Sequence, residues 1–408
     1  MKVAIVGAGA SHGYTGSKTG VAPPLAKSIF STFAKLDISH DLQVLIGQII
    51  CYVRDTRGVQ PLDFNSWEED IEKFLSEIHE LLHRHQDAVK QGYARGEKVS
   101  YVPLAMVNDL YKQCIFLFAS IINEIQNGSP CEDYREFASR FSKEDAFVTF
   151  NWDTLLDRAL YESGKWSPAN GYGIKFLGFF NDGWLPDVPE IDGPLLIKLH
   201  GSTNWLMSYM TTHLQKGEFC FVNSEADWAS WKPHCFINAT KPYPTYHNRT
   251  KEGYEPFSYY YYPPDLPLPD SKPMPGKKSI AITMNISMPE HGKSGPLSDK
   301  CAYPMIIPPV QRKEYDLFPS MKPLWNVAWQ RIHAADQLEI IGYSFPPTDE
   351  QPWHMLTSAV RARSVPLNVI LVDPYPERVT AKLQDALGDK IQLTVHKTTF
   401  AEYLKRTA

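Results

Sequence analysis

Five short segments carry residue types that could do chemistry, and each stands directly after an apolar run. Gly7-Ala8-Gly9-Ala10-Ser11 follows Val3–Val6, and small residues there let backbone N–H groups approach a pyrophosphate. His12 stands where a dinucleotide fingerprint has its third glycine, and no acid lies about 20 residues on. The loop therefore reads as a variant phosphate loop, a structural glycine turn or, despite these departures, an ordinary dinucleotide fingerprint. In Thr149-Phe150-Asn151-Trp152-Asp153, Asn151 offers an amide donor and acceptor, while Asp153 either accepts from a hydroxyl or caps a following helix. An amide placed immediately after buried apolar residues needs a partner, because leaving it unsatisfied is costly. Leu199-His200-Gly201-Ser202 supplies an imidazole, structural or catalytic. Ile340-Ile341-Gly342-Tyr343-Ser344 supplies a glycine and hydroxyls, and Leu371-Val372-Asp373-Pro374 a carboxylate suited to ribose hydroxyls. Each segment has a bland structural reading alone; at the ends of strands in one sheet they make a site.

The elements that must position these residues are legible as alternation. Short apolar runs at 2–6, 146–150, 195–199, 338–341 and 368–372 read as buried strands. Helical patterns follow several of them, at 154–161, 351–360 and 376–387. Strands alternating with helices imply an α/β fold with a doubly wound parallel sheet. Its core is drawn from 1–37, 145–205 and 300–408. Helical spacing at 22–36, at 66–85 behind a Ser66-Trp67-Glu68-Glu69 capping box, and at 101–126 predicts a helical insertion over 40–140. Residues 206–300 read as an irregular insertion. Within it, 241–276 holds Tyr259–Tyr262 and a run of prolines in which no regular helix survives, so it is either self-packed by its aromatics or a lid or oligomer contact.

Composition bounds the function classes. The 408 residues carry 41 basic and 46 acidic side chains, for a formal net charge of −5, which gives no global reason to bind nucleic acid. No run of about 18 consecutive apolar residues is present, and Val3–Val6 breaks into glycine too early for a secretory signal. The expectation is a cytoplasmic protein with no membrane partner. The six cysteines form no C-x-x-C pair, so no zinc ribbon or disulfide framework is signalled and the thiols are expected to be buried. Paired carboxylates of the metal-nuclease kind are absent from the strand ends, and no metal is expected.

Taken in order, GAGAS at 7–11, TFNWD at 149–153, HG at 200–201, GYS at 342–344 and VDP at 372–374 resemble the motif set of the sirtuin superfamily. The resemblance covers about half of the chain, its sheet-forming parts, and as a set the motifs are far more specific than the glycine loop. It implies a single Rossmann-like sirtuin core over 1–408 that binds NAD+ as substrate. Asn151 and His200 would be catalytic. Gly7, Ala8, Gly9 and Ser11 would cradle phosphate, Thr149 would be cofactor-binding, Asp153 would hold the nicotinamide-side loop or the neighbouring helix in place, Gly342 and Ser344 would grip the adenosine half, and Asp373 its ribose. Two departures point away from acyl-lysine deacylation. The interval between HG and GYS holds only the scattered Cys220, Cys235 and Cys301, and Gly20-Val21-Ala22-Pro23-Pro24 replaces the G-I-P-D-F-R segment of deacylases. The chain is most similar in these respects to sirtuin-like NAD+ glycohydrolases of bacterial anti-phage defence. That implies a homo-oligomer and a defence partner in trans such as a HerA-like ATPase. The alternatives are an NAD-dependent deacylase, and a non-catalytic NAD+ or ADP-ribose-binding scaffold for an ATPase or nuclease.

Overall fold

The computed structural model describes residues 1–36, 47–100, 102–126, 128–176, 178–180, 184–185, 187–207, 211–215, 218–222, 233–237, 280–282, 303–313, 315 and 318–407. The aliphatic runs form a six-stranded sheet: β1 (Lys2–Val6), β2 (Ala146–Thr149), β3 (Leu195–Lys198), β4 (Gln337–Ile341), β5 (Leu367–Val372) and β6 (Ile391–His396). They lie side by side in the order β6-β5-β4-β1-β2-β3, and every pairing is parallel. This is the strand order of a Rossmann-like doubly wound fold. β1 and β2 are buried almost throughout, as strands covered on both faces must be, whereas in the edge strand β6 only Ile391 is buried.

Helices α1 (Ala8–His12), α2 (Ile29–Phe33), α3 (Gly47–Arg57), α4 (Ile71–Ala94), α5 (Val102–Gln126) and α6 (Glu132–Ser139) separate β1 from β2. α7 (Leu155–Glu162) follows β2, α8 (Lys322–Ala334) precedes β4, and α9 (Glu350–Arg361), α10 (Glu377–Leu387) and α11 (Phe400–Thr407) follow β4, β5 and β6. By length and composition α5 could cross a bilayer, but Ile115, Leu117, Phe118 and Ile121 are fully buried within the protein, as in a core helix.

Two helix expectations need correction. The pattern at 22–36 winds only over α2, because Pro23 and Pro24 lack the N–H groups a helix needs. The start foreseen at Ser66 lies at Asp70, whose carboxylate accepts from the Glu72 and Lys73 amides. Residues 61–66 instead form a short 3-10 turn, and Trp67 stays extended to stack on Phe30 at 4.4 Å. Nor are residues 206–300 irregular throughout, since strands occur at 211–215, 218–222, 234–236 and 280–282. The tyrosine- and proline-rich stretch 241–276 lies outside the described residues. Cys114, Cys131 and Cys235 are buried free thiols as foreseen, but Cys51 is exposed.

A second sheet starts where β3 ends. Its longest strand, Gly201–Met207, pairs antiparallel with Tyr303–Ile306 and with His234–Phe236. The chain turns between the two sheets at His200-Gly201. Gly201 has φ +78°, and a Cβ there would lie 1.9 Å from the Met305 carbonyl oxygen. Gly164 has a similar φ of +69° with nothing within 4 Å. Gly201→Ala should therefore cost at least about 2 kcal/mol, the left-handed penalty plus a backbone clash, and Gly164→Ala only about 1 kcal/mol. Urea midpoints of the two variants against the wild type check this contrast.

Candidate functional site

The pairing register sets the geometry of the C-terminal edge. Val6 is level with Thr149 and Ile341, Thr149 with Lys198, and Ile341 with Val372. One residue further on, Gly7, Phe150, Leu199, Gly342 and Asp373 form a row. Asn151 and His200 follow at matching positions on neighbouring strands. The loops they occupy are fastened together: the Trp152 carbonyl accepts from the Thr203 amide at 3.0 Å and the Ser202 hydroxyl at 3.4 Å.

At the centre of the edge the glycine loop meets the GYS loop backbone to backbone. Gly7 and Gly9 donate their amides to the carbonyls of Ile341 and Gly342, each at 3.0 Å. A Cβ on Gly7 would lie 2.5 Å from the Gly342 oxygen, and one on Gly342, whose φ is +59°, 2.4 Å from the Ala10 nitrogen. α1 is a turn of five residues. Close loop packing therefore accounts for the glycines directly, with Ala8 and Gly9 exposed on the outer side.

Ser11 is buried beneath this loop and joins two of the other sequence-derived residues. Its hydroxyl donates to Asp153 Oδ2 at 2.9 Å and accepts from Asn151 Nδ2 at 3.1 Å. Its third contact is the Tyr134 hydroxyl at 2.9 Å, which must be a donor because the single serine proton goes to Asp153. Ser11 is thus a node that orients Asn151 and Asp153, with no capacity left for a phosphate. Asp153 has both of the roles the sequence left open, since Oδ1 also accepts from the Leu155 amide at the start of α7. Burial raises the Asp153 carboxyl above the usual range despite Lys198 and these hydrogen bonds. Thr149 is structural: it donates to the Val6 carbonyl at 2.8 Å and accepts from the Asn151 amide.

Behind Asn151 lies a charge pair. Lys198 is fully buried at the end of β3; its ammonium donates to the Asp153 carbonyl at 2.5 Å and to Asp157 Oδ2 at 3.0 Å, and Tyr172 donates to the same carboxylate. Gln126, at the end of α5, ties the helical region in by accepting from the Thr154 amide at 2.6 Å and donating to Thr203 at 3.3 Å.

His200 is 5% exposed, and its Nε2 has no hydrogen-bond partner. Its ring lies against Phe150 at 5.1 Å and Tyr315 at 6.1 Å, and Phe150 in turn stacks on Tyr343 at 4.6 Å. Asp349 Oδ1 stands 3.8 Å from Nε2. That carboxylate is held by Lys313 and by the Tyr343 hydroxyl, the latter at 2.5 Å. Burial pulls the imidazole down to about 4, Lys313 working with burial and Asp349 against it, so His200 is neutral around pH 7. Asp349 would be raised by burial, but His200, Lys313 and Tyr343 overcome this and hold it below the ordinary carboxylate range.

The remaining sequence-derived residues lie along the same edge but outside these contacts. Ser344 is exposed and its carbonyl accepts from Arg378 at 2.9 Å. Asp373 is half-buried and accepts from the Tyr375 amide at 2.7 Å. Sequence reasoning missed Tyr134, Asp157, Lys198, Lys313 and Asp349. Lys198 had a signal, a cation inside an apolar strand. Among the described residues no group of three or more His, Cys, Asp or Glu side chains could hold a metal ion. No family model matches the chain, and no curated protein matches it.

Two stability effects follow. Lys198→Met leaves Asp157 charged and buried without its cation, and should cost about 3–5 kcal/mol; adding Asp157→Leu should recover most of it. His200 and His79 are both held to about 4 by burial, against 6.5 when exposed. The unfolded chain therefore binds protons that the folded chain refuses below pH 6.5, so stability is complete above that value and is lost as pH falls towards 4. In His200→Gln the unfolding free energy from urea titration should fall less as pH drops from 6.5 towards 4, by up to about 1.4 kcal/mol per pH unit.

Proposed function

We propose that this chain is a sirtuin-like NAD+ glycohydrolase that splits the nicotinamide–ribose bond to give ADP-ribose and nicotinamide. The observation that carries the reading is a neutral, buried imidazole one strand away from an oriented amide, at the crevice where a doubly wound sheet binds its ligand. The topological switch lies between β1 and β4, where the Gly7–Ser11 and Gly342–Ser344 loops meet.

The chemistry asks for what these residues supply. Pyridinium nitrogen leaves as neutral nicotinamide, so the barrier lies in the oxocarbenium-like ribose rather than in the leaving group. Asn151, fixed by Ser11, orients ribose hydroxyls or the attacking water. His200 takes one proton from that water as its oxygen bonds to the anomeric carbon, and the electron pair of the broken C–N bond returns to the nicotinamide ring. Positioning and a water-poor site supply most of the acceleration. Ala8 and Gly9 present the surface for the pyrophosphate, and Asp373 the acceptor for the adenosine ribose. A hydrolase of NAD+ endangers its own cell, which favours low basal turnover and activation by assembly or by a defence partner such as a HerA-like ATPase.

Asn151→Ala and His200→Ala should each lower nicotinamide release at least about 100-fold with the fold intact by circular dichroism. Chromatography of NAD+ incubated with the protein, alone and with lysate of phage-infected cells, measures it. Wild-type turnover in either variant overturns the residue assignment. Intact NAD+ under both conditions favours a binding scaffold, and cleavage only with an acylated peptide favours a deacylase.

A further inference from the structure

The loop that follows β4 is bent hard to deliver one carboxylate to His200. Gly342 has φ +59° and Phe345, a buried aromatic residue, has φ +47°, a conformation that costs free energy in a bulky residue. The result is that Asp349, the residue before α9, does not use its side chain to cap that helix. It is 4% exposed, bonded to Lys313 and Tyr343, with Oδ1 in ion-pair reach of His200 Nε2. Asp349 thus forgoes the cap and sits instead, held by Lys313 and Tyr343, 3.8 Å from an imidazole nitrogen that makes no hydrogen bond.

Resting on the glycohydrolase reading above, we propose that Asp349 is the positioning residue of His200, holding the proton on Nε2 so that Nδ1 is the base, and that Lys313 sets how readily the ring becomes charged. A carboxylate facing Nε2 favours the tautomer that carries hydrogen there. When Nδ1 accepts the proton of the attacking water, the imidazolium forms 3.8 Å from that carboxylate, which stabilises it in a buried site. Lys313 counters this by neutralising Asp349, so the resting ring stays uncharged. Among the described residues the other ionisable groups around the imidazole are the Tyr315 and Tyr343 hydroxyls, with Glu350 behind the first. Glu72 stands behind the carboxylate, accepting from Thr348 at 2.7 Å. Both tyrosines are raised by burial and remain protonated, so among the described residues Asp349 and Lys313 are the charges in direct reach.

The test uses the full chain with isotope-labelled histidine. Nitrogen shifts read the tautomer and the Cε1–H resonance reads the titration, with His200→Gln assigning the signal. Asp349→Leu alone strands Lys313, so the paired variant Asp349→Leu/Lys313→Met is used beside Lys313→Met. In the wild type His200 should be the Nε2–H tautomer. The paired variant should lose that preference and cut kcat for NAD+ cleavage about 10- to 100-fold with KM within about threefold. Lys313→Met should raise the imidazole pKa and move the acid limb of kcat/KM up with it. An Nδ1–H ring in the wild type, an unchanged tautomer in the paired variant, or unchanged kcat there overturns the positioning role, while His200→Ala still inactive leaves the glycohydrolase reading standing. Absence of NAD+ cleavage by the wild type sinks the glycohydrolase reading alone, because the tautomer and titration need no substrate.

Discussion

At the middle of the sheet edge two stretches of backbone touch with no side chain between them, and the rest of the site depends on that contact. Gly9 donates to the Gly342 carbonyl, while hypothetical Cβ atoms on Gly7 and Gly342 would sit inside the opposing backbone. β1 and β4 are parallel neighbours from which the chain leaves in different directions, so their outgoing loops must either splay or interlock. Here they interlock. The consequence on one side is that α1 lies low enough for Ser11 to reach Asn151 and Asp153; on the other, the chain after Gly342 is directed across the edge, carrying Tyr343 and Asp349 to His200.

Two buried ion pairs then flank the two candidate catalytic groups, and they do different work. Lys198 and Asp157 are 1% and 7% exposed at their side chains, and the lysine also takes the Asp153 carbonyl. A charge removed from water to that degree is tolerable only with its partner and full hydrogen bonding, and these conditions fix the backbone that bears Asn151. Lys313 and Asp349 form the second pair, but their carboxylate also faces an imidazole with no partner of its own. The first pair makes geometry rigid. The second adjusts protonation, because in a buried setting small changes in nearby charge alter whether a ring can accept a proton.

The sheet was legible because buried parallel strands are short apolar runs, and β1 to β5 all announce themselves that way. β6 was not, since Gln392, Thr394 and His396 alternate with apolar residues on an exposed edge and imitate a loop. The second sheet escaped because its strands, such as 178–180 and 234–236, are too short to show a period. Within the site, residues at strand ends could be found by position alone, which is why Ser11, Asn151, Asp153 and His200 were visible. Their partners were hidden for a physical reason: Tyr134, Lys313 and Asp349 come from helices and connecting loops whose place is decided by packing. Asp349 even imitates an ordinary helix cap.

Those partners also join the helical region to the sheet. Glu72 and Ser76, in the first turns of α4, bind Thr348 and the Gln311 amide, which bracket the Lys313–Asp349 pair in space. Gln126 at the end of α5 binds both Thr154 and Thr203, the residues after Asp153 and Ser202. α4 and α5 pack on each other, so the loop that bears the amide and the loop that carries Asp349 are bonded to one helical pair. A close-packed unit of this kind passes displacement on rather than absorbing it. The position of the helices therefore bears on the groups around His200, where burial and Lys313 lower the readiness of the imidazole to take a proton and Asp349 raises it.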